Sequence, residues 1–330
     1  MDNTISRIKI ALIPDEKGWA FDNIAKQIKK NLNYYYEFTI IPYEKYLYSP
    51  AEFCNTVKDC HILHFFWRDT IRDMQLTKCA GWDLIKDKII STAVYDHLLL
   101  SKEDVNERTD LFQSTYYYVC SEKLKQIYDN IEGYKKPIMI IEDGVDPTLF
   151  YPMNTDRFNS NAKLPLKIGW TGNSSWDLDY DLKGFKTYIK PAVKRLKKSG
   201  YSIKGVFRDG KNRYIPHNKM IDFYSKIDIL VCMSLSEGTP NPILEAMACG
   251  VPVITTDVGI VPQVFGEKQK NFILKDRDIN TLMSAIIKLY KHRDIMQELS
   301  QENLAEIKDW YWSKQCLKFK EYFDVLSSYL

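Results

Sequence analysis

One stretch constrains this chain more than any other: residues 226–259, KIDILVCMSLSEGTPNPILEAMACGVPVITTDVG. Residues 229–233 form an apolar, partly β-branched run, the pattern of a buried parallel strand. Residues 234–241 are a polar loop containing Gly238 and Pro240. Asn241 stands where a helix N-cap is wanted, and Pro242 suits the first helical position. The helix is expected to run to about Cys249, with Gly250 ending it, and residues 251–255 read as a second strand. Strand, loop, helix and strand make a crossover, and crossovers of this kind build parallel sheets.

Open parallel sheets bind ligands at the carboxyl ends of their strands, which places Ser236, Glu237, Gly238, Thr239 and Glu245 at the expected crevice. A helix start offers backbone N–H groups and a positive dipole end to an anion. Two carboxylates beside an anion site suit a ligand that also carries hydroxyls, because a carboxylate accepts hydrogen bonds from them. A phosphate joined to sugars meets both conditions. The alternative is two solvated surface glutamates, the commoner fate of a lone pair.

The segment resembles the signature of the retaining family 4 glycosyltransferases (glycosyl transferases group 1), whose two-domain fold is called GT-B. Glu237 and Glu245 match the paired glutamates. The match continues through the loop EGTPNP, the run EAMACGVPVI and Val258-Gly259. The resemblance implies that Glu237 contacts the donor sugar and Glu245 the donor ribose. It implies that the loop and helix start, Gly238, Thr239, Asn241, Pro242, Ile243 and Leu244, hold the diphosphate.

Length suggests about two domains, each with its own core. A formal net charge of +3 does not indicate nucleic-acid binding. The seven cysteines include no Cys-x-x-Cys pair, and Cys232 and Cys249 lie in core-like runs, so reduced thiols in the cytoplasm are expected. The start shows no signal-peptide pattern, and no apolar run reaches the length of a membrane span.

In the first half, strands are expected at 8–14, 38–42, 60–66, 89–95, 114–120 and 137–141, with helices over 21–32 and from Ser121-Glu122 to Tyr128. Gly18 and Trp19 follow the first strand and fall on its ligand-binding side. The resemblance makes them acceptor-side residues, although Trp19 can equally cap the core. Two histidines three apart in a strand, His61 and His64, face opposite sides and make a poor metal pair. Arg68, just past a strand end, is expected in a surface ion pair, the alternative being that it faces an anionic acceptor. Asp96-His97 directly follows an apolar strand, and the resemblance puts a histidine or aspartate in this place beside the reacting sugar carbon. A structural role is the alternative. Asp143 stands where the resemblance implies an asparagine.

In the second half, residues 166–170 read as a strand followed by the small-residue loop Thr171-Gly172-Asn173-Ser174-Ser175, of the kind that approaches phosphate. The resemblance places phosphate contacts here, then a Lys-Gly pair that Lys183-Gly184 matches. It also implies an arginine shortly before that lysine, where this chain has Asp177, Asp179 and Asp181. Lys183 is therefore expected to act with Arg208, which follows the strand at 202–207. Asp177-Leu178-Asp179 imitates a metal-binding Asp-x-Asp, but a solvated acidic loop is the expected reading and no metal or other cofactor is predicted. Lys190, Lys194, Arg195, Lys197 and Lys198 make a basic face that solvation explains and that anionic lipid also suits. Residues 310–330 carry an aromatic stripe at helical spacing, read as core, which the resemblance has crossing back to the first domain.

The expected architecture is α/β, with two doubly wound parallel-sheet (Rossmann-like) domains facing a cleft, of GT-B type. The domains are 1–152 joined by 310–330, and 153–309. The expected function is a metal-independent retaining glycosyltransferase (a hexosyltransferase) taking a nucleotide-sugar donor to a glycan, lipid-linked or small-molecule acceptor. Its expected place is the cytoplasm, with peripheral contact at the inner membrane face. Catalytic candidates are Glu237, Asp96 and His97. Donor-binding candidates are Glu245, Lys183, Arg208 and Gly172 with the loop named above. The rivals are an epimerase or phosphorylase on the same fold, distinguished by turnover without acceptor or by dependence on phosphate. A non-catalytic sugar-nucleotide-binding protein is a third, which binds donor without transfer.

Overall fold

Apolar strand runs alternating with one-sided helices produce a five-stranded, all-parallel sheet in each half of the chain. The computed structural model describes residues 7–77, 81–158, 165–175, 180–210 and 215–330. Two compact units result: Met1–Asp143 with Trp312–Leu330, and Gly144–Tyr311. The first boundary precedes the one expected at residue 152. The reason is that Val145 bridges to Tyr311, its N–H bonds Trp310 O at 2.9 Å, and Val145 and Phe150 are buried in the second unit's core.

In the first unit, β1 (Lys9–Ile13), α1 (Ala20–Leu32), β2 (Glu37–Ile40), α2 (Glu44–Tyr48), α3 (Pro50–Val57) and β3 (Ile62–Phe65) come first. Next are α4 (Arg68–Thr77), β4 (Ile89–Val94), α5 (Lys102–Ser114), β5 (Tyr116–Val119) and α6 (Glu122–Tyr128). The sheet order is β2-β1-β3-β4-β5. The expected strand at 137–141 is reduced to one bridge, Val119 to Ile140. Helix α5 is mostly polar, so its sequence carries little periodicity. Its start is set by a capping box in which Ser101 and Asp104 bond each other's backbone N–H. Ser121 caps α6 as expected, accepting from Leu124 N–H at 3.2 Å.

The C-terminal helix, Trp312–Ser327, buries Phe319, Tyr322, Phe323 and Leu326, so the aromatic stripe is core. It packs within the first unit against α1, and Tyr36 O–H donates to Asp324 at 2.5 Å. His61 Nδ1 accepts from Lys9 N–H at 3.0 Å, a structural role. His64 is fully buried, stacked on Tyr118 with ring centroids 5.5 Å apart and bonded through Nδ1 to Ser91 Oγ at 2.7 Å.

In the second unit, β6 (Leu166–Gly172) leads through a π-helical turn at Phe185–Ile189 into α7 (Lys190–Lys198). Then come β7 (Ile203–Asp209), α8 (Ile221–Tyr224), β8 (Ile229–Cys232), α9 (Asn241–Ala248), β9 (Val253–Thr256) and α10 (Val261–Val264). Finally there are β10 (Ile273–Leu274), α11 (Ile279–Lys291) and α12 (Arg293–Glu306). The sheet order is β10-β9-β8-β6-β7. Lys190, Lys194, Arg195, Lys197 and Lys198 of α7 are all exposed. The six described cysteines, Cys54, Cys60, Cys120, Cys232, Cys249 and Cys316, are free thiols, and Cys79 lies outside the described residues. Among the described residues, no helix is long and apolar enough to cross a membrane.

Burial holds the His64 imidazole neutral by lowering its pKa to about 3, from 6.5. Between those values the unfolded chain binds the extra proton, so stability falls as pH drops through 6.5. Lowering the pH to about 4 is expected to cost about 3 kcal/mol through this residue alone. Urea unfolding of wild type and His64→Gln at about pH 7 and about pH 4 checks this, because the variant is expected to lack that share of the pH dependence.

Candidate functional site

Chain order in the second sheet reverses at β6, which lies between β7 and β8. The loops leaving β6 and β8 at their carboxyl ends are therefore neighbours, where open parallel sheets bind ligands. Lys183 Nζ of the first loop lies 2.6 Å from Glu237 Oε1 of the second, with side chains 19% and 17% exposed. Leu235 N–H donates to Leu182 O at 2.8 Å across the same seam. Gly184 has a left-handed φ of +67°, and a Cβ there would lie 2.4 Å from Met233 O. Only glycine permits that approach.

Arg277, just before α11, joins both loops from behind their backbones. Its Nε donates to Met233 O at 2.7 Å, and one terminal nitrogen donates to Asp181 O at 2.5 Å and Leu182 O at 2.9 Å. Its guanidinium lies 4.9 Å from the Tyr188 ring centre. Nothing local in the sequence marks this residue, because its partners are backbone atoms of two distant loops.

The structure pairs Lys183 with Glu237 rather than giving it to Arg208, which is exposed near the end of β7. The neighbouring Asp209 anchors the small-residue loop, accepting from Ser174 N–H at 3.0 Å and O–H at 2.6 Å. Gly210 N–H donates to Gly172 O at 2.8 Å. Asp177, Leu178 and Asp179 lie outside the described residues. Asp181 has φ +42°, and its carboxylate accepts from Thr187 N–H at 2.7 Å, so it caps the turn entering α7.

Helix α9 begins one residue earlier than expected. Pro240 is its cap, Asn241 is the first helical residue and Pro242 lies one place inside. Pro242 has no N–H, and Ile243 N–H donates to Pro240 O at 2.8 Å. Ile243 and Leu244 are fully buried. At the other end, Gly250 at φ +69° completes a Schellman motif, with Val251 N–H bonding Ala246 O at 2.8 Å and Gly250 N–H bonding Met247 O at 2.9 Å.

The loop itself is clamped by the segment after β9. Gly259 has φ +49°, a Cβ there would lie 1.9 Å from Gly238 O, and Ile260 N–H donates to that same oxygen at 3.1 Å. Thr256 O–H donates to Ser234 O at 2.7 Å, and Thr239 is buried. Glu245 is 8% exposed and engaged on both oxygens, by Tyr224 O–H at 2.6 Å and by His217 Nε2 at 2.7 Å. Burial first, then the Glu245 charge, pushes the Tyr224 hydroxyl far above its ordinary pKa, so it remains a donor. The sequence gives no sign of these partners, since Tyr224 and His217 stand 21 and 28 residues from Glu245.

In the first unit, Gly18 has φ +86° and donates its N–H to Asp22 at 2.7 Å. Trp19 is the N-cap residue of α1 and is 43% exposed. Arg68, expected at the surface, is 1% exposed and pairs with Asp96 at 2.9 Å. It starts α4 immediately past β3, where the sheet's end encloses it against Trp67, 4.7 Å away. Asp96 also accepts from Leu98 N–H at 2.9 Å, so it is a buried anchor, while His97 beside it is exposed. Neighbouring protein displaces part of the His97 hydration and lowers its pKa. Lys123 adds to that lowering and Asp96 opposes it. Asp143 is buried and accepts from Tyr95 O–H at 3.0 Å.

Residues 212–305 match the model of the family described as Glycosyl transferases group 1. A putative teichuronic acid biosynthesis glycosyltransferase of Bacillus subtilis, TuaC, is 33% identical over 116 residues, 35% of this chain and 27% of that protein. The chain spans between a quarter and a half of the length of the curated relatives it matches. Among solved structures, a sucrose-phosphate synthase from Thermosynechococcus elongatus superposes with TM-score 0.69 at 15% identity, covering 98% of this chain and 100% of that one. Anabaena HepE, solved in complex with UDP-glucose, gives 0.68 at 12% identity, covering 97% and 100%. These neighbours establish the fold as GT-B, two Rossmann-like domains.

Gly259→Ala is expected to cost about 1–3 kcal/mol for its backbone conformation, and more for the collision with Gly238. Gly200, at φ +85° with no atom within 4 Å of an added Cβ, is the control. Urea unfolding of the two alanine variants checks this, and an equal loss in both would refute the clamp.

Proposed function

We propose that this chain is a retaining glycosyltransferase using a nucleotide-sugar donor, a reading supported by the match of residues 212–305 to the model of the glycosyl transferases group 1 family. The observation that carries the proposal is the Lys183–Glu237 pair, set at the reversal point of the sheet beside the start of α9. The pair is only partly enclosed, so it can exchange partners. In the donor complex the Lys183 ammonium turns to the diphosphate and neutralises charge developing on the leaving group, helped by the helix start. This frees the Glu237 carboxylate to accept hydrogen bonds from the sugar hydroxyls.

Glu245 is held by Tyr224 and His217 in one orientation, and each of its oxygens keeps a lone pair for a ribose hydroxyl. Gly172 and Thr239 line the phosphate side, and exposed Arg208 is available to the base or phosphate. In the first unit, exposed His97 is the residue proposed to meet the reacting sugar, with Asp96 and Arg68 fixing the rim that carries it. Gly18 and Trp19 are proposed on the acceptor side. No metal is assigned a role, since Lys183 and the helix start supply the positive charge. The UDP and UDP-glucose named for HepE support a nucleoside diphosphate sugar as donor class. The buried free thiols support a reducing, cytoplasmic setting, and the exposed basic face of α7 supports contact with an anionic membrane surface.

A thermal-shift screen against UDP-, GDP- and ADP-sugars and the free nucleotides tests this. A ligand at about 100 Kd adds about 2.7 kcal/mol to stability, so one base is expected to raise the midpoint clearly. Glu245→Ala and Lys183→Met are each expected to weaken that ligand by about ten-fold or more, the loss of a hydrogen-bonded or charged contact. No shift with any nucleotide would overturn the proposal.

A further inference from the structure

We infer that Arg277 is a positioning residue of the donor site, holding the loop that bears Lys183 and the loop that bears Glu237 in the register that lets the two side chains meet. The inference rests on the function proposed above and adds a residue to its machinery. Three carbonyls from two loops, Met233, Asp181 and Leu182, converge on one guanidinium. Asp181 and Leu182 immediately precede Lys183, and Met233 lies at the end of β8 in the segment leading to Glu237.

A planar fork with fixed N–H directions can hold carbonyls on two loops at a set spacing, which a compact ammonium on a flexible stem does less rigidly. Two further contacts share the seam: the Leu235–Leu182 backbone bond and the approach of Gly184 to Met233 O. Neither can form unless the loops are at this spacing.

Among the described residues, Arg277 forms no ion pair. Asp278 beside it is occupied in capping α11, accepting from Asn280 and Thr281 N–H. The Asp181 carboxylate is turned to Thr187. Among the described residues, the Arg277 side chain is thus engaged by backbone carbonyls of the loop that precedes Lys183 and by Met233 O rather than by a carboxylate. That loop lacks the arginine implied by the family resemblance and carries aspartates instead. Arg277 brings a guanidinium to it from a distant part of the chain, through backbone contacts. This separates its role from that of Lys183, which is proposed to touch the donor.

The test compares wild type, Arg277→Met and Arg277→Lys by backbone hydrogen exchange and by binding of UDP, GDP and ADP. Arg277→Met is expected to speed exchange roughly ten-fold at the Gly184 and Leu235 amides, leaving amides in the middle of β6 and β8 within about two-fold of wild type. It is expected to weaken the bound nucleotide roughly ten-fold, and to add less than about two-fold in a Lys183→Met background, as coupled residues do. Arg277→Lys is expected to recover part of both effects. Unchanged exchange at Gly184 and Leu235, or an equal rise at every amide, overturns the inference. So does unchanged affinity with loosened loops, or full additivity with Lys183→Met. If the wild-type chain binds none of the three nucleotides, the donor reading falls on that result. The exchange pattern then still decides whether Arg277 sets the Lys183–Glu237 pair.

Discussion

Lys183 and Glu237 meet at 2.6 Å because β6 and β8 are neighbours in a parallel sheet. Every parallel strand releases its loop at the same edge, and a reversal of strand order brings two such loops together without a helix between them. The rest of the second unit accommodates that meeting. Gly184 removes the Cβ that would strike Met233 O, Gly259 does the same against Gly238 O, and Arg277 bonds the carbonyls of both loops. Each is a close approach of backbone to backbone, which explains why glycine and a many-donor cation occupy these places.

Three carboxylate partnerships differ in how much solvent exposure and acceptor capacity they retain. Arg68–Asp96 has side chains 1% and 6% exposed, and stripping either partner would leave an unpaired buried charge. Such a pair holds a loop and has little freedom to serve a ligand. Lys183–Glu237 retains about a fifth of its exposure on each side, so water or a ligand can replace either partner at modest cost. Glu245 lies between these cases, anchored on each oxygen by a neutral or titratable donor and left with acceptor capacity.

The elements that were legible in the sequence have local signals. The strand from Ile229 and the helix ending at Gly250 are marked by an apolar run and by Pro and Gly punctuation, and the aromatic stripe from Trp312 by its spacing. Helices α4 and α5 were illegible because their mean hydropathy is low and α5 is set by a cap. The start of α9 was misplaced by one residue because Asn241 and Pro242 fit the first turn in either register. The two glutamates were visible as a motif, but their partners Lys183, Tyr224 and His217 stand 54, 21 and 28 residues away from them.

By itself the sequence determined most of the strands, the strand–helix–strand crossover around α9 and the helix end at Gly250, because each depends on residues close together in the chain. The tertiary structure alone decided that Arg68 is buried against Asp96, that Lys183 faces Glu237, and that Arg277 binds the loops carrying both. Those outcomes follow from which strands lie side by side. Charge pairing across a sheet edge depends on distances of a few ångströms between residues that the chain itself keeps far apart.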